Sequence, residues 1–164
     1  MGTFTGTNGA DTITPTTGSA GVVAHGAVSG VDLGSLFGGI GNDLLDGGCG
    51  RDTVYGGSGD DTVFVEFGND YAHGGPGSDT LNLTRITSDF LLDLETGQTN
   101  TPNQVLSYFE NVPSGSGNDV LTGTVGDDQL FGTGGANRIE GGAGKDTIVG
   151  VAVATAPMAG LVTM

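Results

Sequence analysis

With 164 residues, 35% of them hydrophobic, and no Trp, the chain is long enough for one domain of moderate size but too poor in large apolar side chains for a thick interior. Its formal charge of −15, from 19 Asp plus Glu against four Lys plus Arg, leaves no basic patch to neutralise phosphates and excludes a nucleic-acid partner. A single cysteine, Cys49, excludes an internal disulfide framework and is expected to be an exposed thiol without a role, the alternative being a cross-link between two chains.

In chain order, residues 1–5 have neither a charged n-region nor an apolar core, so no Sec-type signal peptide is expected. Residues 6–14, GTNGADTIT, place Gly9, Asp11 and Ile13 at the fourth, sixth and eighth positions of a nine-residue unit. Residues 15–37 follow as an insertion, in which Val22, Val23 and residues 31–37 are candidates for irregular strands and His25 is read as a surface residue. Residues 38–82 then read GGIGNDLLD, GGCGRDTVY, GGSGDDTVF, VEFGNDYAH and GGPGSDTLN without a break. The fourth of these units lacks both leading glycines, so the site it shares with residues 47–55 is expected to be the weakest.

Residues 83–113 interrupt the pattern, with strands expected over 90–94 and 105–112 and a polar loop over 95–103. Asp93, Glu95 and Glu110 have the residue type of a glycosidase acid pair, but carboxylates on solvated strand faces are commoner and the sequence shows no cleft. Residues 114–149 resume as SGSGNDVLT, GTVGDDQLF, GTGGANRIE and GGAGKDTIV. The tail, residues 150–164, is apolar but too short and too interrupted by Gly and Pro to span a bilayer.

Across the nine units of the two blocks the fourth place is always Gly, the sixth is Asp or once Asn, and the eighth is always apolar. A short fixed period of this kind predicts a solenoid in which each unit buries its apolar residue only against neighbouring units. Glycine accepts positive φ, so the Gly-rich half is the turn, and the last three places are a strand whose middle residue points inward. Two units make one flattened coil of 18 residues, and unit n stacks on unit n+2. Asp43, Asp61 and Asp79 then line one edge and Asp52 and Asp70 the other; in the second block Asp119 and Asn137 share one edge and Asp128 and Asp146 the other. Stacked carboxylates ~4.8 Å apart repel by roughly 1 kcal/mol in water and about 3.5 kcal/mol at an effective dielectric of 20. A hard divalent cation reverses that sign, because Ca²⁺ accepts about six to eight carboxylate and carbonyl oxygens in loose geometry. Zinc lacks its His and Cys ligands here, and an EF-hand lacks its loop.

The pattern resembles the GGxGxDxUx nonapeptide of the repeats-in-toxin (RTX) family of hemolysin-type calcium-binding proteins. That resemblance implies an all-β, right-handed parallel β-roll spanning the chain as one domain. The candidate metal-binding positions are Gly39, Gly41 and Asp43; Gly48, Gly50 and Asp52; Gly57, Gly59 and Asp61; Gly68 and Asp70; Gly75, Gly77 and Asp79; Gly117 and Asp119; Gly126 and Asp128; Gly135 and Asn137; Gly144 and Asp146. Three sites in the first block and two in the second give about five calcium ions. At ~1 mM calcium and sites of about 10⁻⁴ M, each contributes roughly 1.4 kcal/mol to folding, and almost nothing at cytosolic calcium. The resemblance also implies an uncalcified coil over 83–113, a secreted, extracellular protein, and a type I exporter as partner, although the tail lacks the acidic residue followed by large apolar residues that often ends such export signals. A non-enzymatic folding, export or surface-interaction module is the leading reading, since HExxH, GxSxG and GxxxxGK[ST] are all absent; its surface or polysaccharide partner is unspecified. The alternative is the C-terminal calcium-binding domain of a larger secreted protease, lipase or alginate epimerase. An ice-binding solenoid would need a regular outward Thr ladder, which Tyr71, Gln129 and Arg138 break.

Overall fold

The computed structural model describes residues 3–5, 12–13, 33–48 and 50–150, with side chains in 35–48 and 50–150. The readings of His25, Cys49 and the apolar tail lie outside these residues. The described chain is all β. Its strands are β1 (Thr3–Thr5), β2 (Thr12–Ile13), β3 (Leu33–Ile40), β4 (Leu44–Asp46), β5 (Arg51–Ser58), β6 (Thr62–Phe64), β7 (Tyr71–His73) and β8 (Thr80–Asn82). They continue as β9 (Leu91–Asp93), β10 (Gln98–Thr99), β11 (Val105–Ser107), β12 (Asn111–Pro113), β13 (Val120–Thr122), β14 (Gln129–Phe131), β15 (Arg138–Glu140) and β16 (Thr147–Val149). Successive units alternate between two sheets, ordered β1-β3-β5-β7-β11-β10-β9-β13-β15 and β16-β14-β12-β8-β6-β4-β2, and form a parallel β-solenoid of about six turns.

The nonapeptide sets the register. Val54 pairs with Ala72, Leu45 with Val63 and Val63 with Leu81, each step advancing one 18-residue coil. The same step joins β13 to β15 and β14 to β16. Because side chains alternate across a strand, every eighth-place residue turns inward. Leu45, Val54, Val63, Ala72, Leu81, Leu121, Leu130 and Ile139 are buried in one continuous core, and Ile148 packs against its end.

The strand expected within residues 31–37 is present as the first part of β3, and it is regular: β3 pairs with β5 over Leu33↔Arg51 to Ile40↔Ser58 and buries Leu36 against Val54. Gly34 stands where the repeat has its acid, opposite Asp52, and so hides the coil from a search for that motif. The strand Thr12–Ile13 of the isolated N-terminal unit pairs with Leu44 and Leu45, 32 residues on rather than 18.

Residues 83–113, finally, are not one plain coil. The polar stretch expected to be loop contains β10, which runs antiparallel between β9 and β11. The chain passes from β8 to β9, returns through β10, and lays β11 in parallel on β7. Leu83, Ile86, Phe90, Leu94 and Phe109 fill the interior of this detour. Arg85 pins it to the first block, its Nη1 donating to Asp46 Oδ2 at 2.8 Å and Glu66 Oε1 at 3.1 Å while its guanidinium lies over the Phe64 ring.

Candidate calcium-binding edges

The Gly-rich turns stack along both edges of the solenoid. At the second and fourth places of most first-block turns the backbone takes positive φ, for example Gly57 at 118° and Gly59 at 130°. A Cβ at either position would overlap the carbonyl oxygen of Gly39 or Gly41 in the preceding turn, so any larger residue would push the coils apart. The same contact recurs at Gly75 on Gly57, Gly77 on Gly59, Gly68 on Gly50, Gly135 on Gly117 and Gly144 on Gly126.

The sixth-place acids form ladders. The Asp43 N–H donates to Asp61 Oδ1 at 2.8 Å, and the Asp61 N–H to Asp79 Oδ1 at 2.8 Å. On the other edge the Asp52 N–H donates to Asp70 Oδ1 at 3.0 Å. In the second block Asp119 donates to Asn137 Oδ1 at 2.8 Å and Asp128 to Asp146 Oδ1 at 3.1 Å. The structure thus brings together the acids that the period pairs. Asn137 keeps the accepting oxygen but turns its amide nitrogen to the Gly134 carbonyl, so this rung carries one charge fewer.

At Asp61, Asp79 and Asp146 one carboxyl oxygen is used in this way and the second is not, whereas Asp70 Oδ2 meets the Gln104 amide and both oxygens of Asp128 accept from Thr124. Asp61, Asp79 and Asp119 are at most 1% exposed, yet their Oδ2 atoms accept no hydrogen bond, and neither does Oδ2 of Asp146. Among the described residues no ion pair reaches Asp61, Asp70, Asp79, Asp119, Asp128 or Asp146. Burying an ionised carboxylate without a partner is costly, so the group either takes a proton or requires a cation. Without metal, burial pushes Asp70 up to about 6 and Asp79 up to about 7, the latter with the charges of Asp61 and Glu110 adding to the effect. Burial likewise raises Asp61, Glu110 and Asp128 above the usual carboxylate range.

This donor set fits a hard divalent cation. It consists of oxygens only, has surplus negative charge, and lies against carbonyl oxygens of stacked turns. No three His, Cys, Asp or Glu side chains among the described residues converge on one point, so an ion held here would have to draw on backbone oxygens besides the carboxylates.

Two sets of residues escaped the sequence reading. Fifth-place side chains make a second ladder in the opposite sense: Asn42 Oδ1 accepts from Asp60 N–H at 2.9 Å, Asp60 Oδ1 from Ser78 N–H at 3.0 Å, and Asp127 Oδ1 from Lys145 N–H at 2.8 Å. The recurrence of Asn and Asp at that place was its signal. The connecting segment also contributes, with Gln104 and Glu110 each standing where a sixth-place acid would be. Gln104 Nε2 reaches Asp70 Oδ2 at 3.5 Å, and Glu110 Oε2 accepts the Asp79 N–H at 2.8 Å. Glu95 and Glu110, though not Asp93, line a cleft of about 420 Å³, where the sequence showed none.

Stacked glycine turns lined with buried acids are the marks of a cation-binding β-solenoid. The profile of the RTX calcium-binding nonapeptide repeat, in four copies, matches residues 35–63, 55–83 and 114–150, more than half of the chain, and the protein belongs to that family. It is a calcium-binding β-roll module. No curated protein and no solved structure matches the chain.

Proposed function

We propose that this module is secreted, that it is loose at cytosolic calcium, and that it winds into its solenoid as one domain outside the cell by taking about five ions between the stacked turns. Its role in this reading is structural, as a folding, export or surface-interaction element, and not catalytic. The observation that supports it best is the row of buried sixth-place carboxylates whose second oxygen has no hydrogen-bonding partner, at Asp61, Asp79 and Asp119. Such a row opposes folding until a cation enters it, so binding free energy becomes folding free energy. The net charge of −15 acts in the same direction by expanding the metal-free chain.

Circular dichroism during a calcium titration tests this. The expected result is a coil-like spectrum in EDTA that becomes β-rich at millimolar calcium and reverts on chelation, with magnesium much less effective. A fully β-rich spectrum in EDTA at neutral pH would refute it.

A further inference from the structure

Residues 83–113 contain no nonapeptide, yet part of the segment reproduces a repeat turn. Tyr108, Phe109 and Glu110 lead into β12 as a full turn leads into the other strands of that sheet. The Glu110 carboxylate accepts the Asp79 N–H at 2.8 Å, the distance at which Asp79 itself accepts the Asp61 N–H one coil earlier. The Tyr108 carbonyl also occupies a repeat position. A Cβ on Gly74 would clash with the Tyr108 oxygen and Asp79 Oδ2, just as one on Gly56 would clash with the Gly74 oxygen and Asp61 Oδ2. Asp79 is 0% exposed and its Oδ2, on the Tyr108 side of the turn, accepts no hydrogen bond.

We propose that the join between the blocks holds a cation site of its own, built by Asp79, the Tyr108 carbonyl and Glu110, that takes a hard divalent cation of the calcium class. The proposal rests on the reading that the repeat turns bind calcium, and adds a site where the motif is absent. A cleft of about 420 Å³, bounded by Thr96, Tyr108, Glu110 and Thr124 but not by Asp79, opens against Glu110. The matching place on the opposite edge holds the neutral Gln104, which satisfies Asp70 through its amide instead of adding charge. The first block therefore continues into the join as an acidic edge on one side only.

Native mass spectrometry in calcium, with circular dichroism in parallel, tests the site on the full chain. Glu110→Gln keeps an oxygen for the Asp79 N–H and is expected to lose one ion from the folded protein while retaining the calcium-induced β signal. Asp61→Asn serves as the repeat control and is expected to lose at least one ion. If Glu110→Gln destabilises the fold, the count is taken on its compact, low-charge population, where one fewer ion supports the site. An unchanged count in Glu110→Gln beside a reduced count in Asp61→Asn overturns the join site alone. An absence of calcium on the wild-type chain overturns the repeat reading as well.

Discussion

The Asp61 carboxyl divides its two oxygens between separate tasks, as do those of Asp79 and Asp146. Asp61 Oδ1 accepts the Asp43 N–H at 2.8 Å and fixes the rotamer, while Oδ2 is held without a partner in a buried position. An asparagine there would preserve the first task and abolish the charge of the second, as Asn137 does naturally. For Asp61→Asn the calcium midpoint is expected to rise about tenfold, the equivalent of ~1.4 kcal/mol, as read by titration with circular dichroism. In chelator the same variant should be no less ordered than the wild type, because it removes a repulsive charge facing Asp43 and Asp79. A loss of β signal in both conditions would mean that Asp61 is a turn former and nothing more.

Among the elements, the three-residue strands and their stacking were legible because one apolar side chain recurs every nine residues and a strand of that length has only one inward position. β3 was less visible: Leu36 fits the pattern, but Gly34 replaces the acid and Asp32 replaces the fourth-place glycine. β10 was invisible, since Gln98 and Thr99 carry no apolar residue and are held by the backbone of β9 and β11. Glu110 was hidden for a related reason. Its turn is too short for the motif, and only spatial register sets the residue over Asp79. A solenoid strand relies on its neighbours on both sides, so position along the stack governs the cost of truncation. Leu81→Ala, at 0% exposure between two coils, should cost about 2–5 kcal/mol in urea unfolding at saturating calcium. Ile148→Ala, only partly buried on the last described coil, should cost clearly less. Equal costs at the two positions would contradict coil-by-coil burial.

For the molecule as a whole, protons and calcium compete for the same oxygens. In the metal-free fold Asp70 titrates at about 6 and Asp79 at about 7, above their ordinary value of 3.8. The folded form therefore binds protons more tightly than the unfolded one. Its stability without calcium rises as pH falls from about 7 toward about 4, and is lost as pH climbs back through that window. Circular dichroism at pH 7 and pH 5 should show more β signal at pH 5 in chelator, and a higher calcium midpoint at pH 5 than at pH 7. A metal-free spectrum unchanged between these pH values would show that the carboxyls are not strained. The detour between the blocks has a separate consequence for how the spiral is assembled. Winding can proceed turn upon turn as far as residue 82, but Leu91–Asp93 lies against Gln98–Thr99 on one side and Val120–Thr122 on the other. A polypeptide emerging amino end first must hold that strand open until some thirty further residues arrive, so completion of the second half waits at a checkpoint written into the order of the strands.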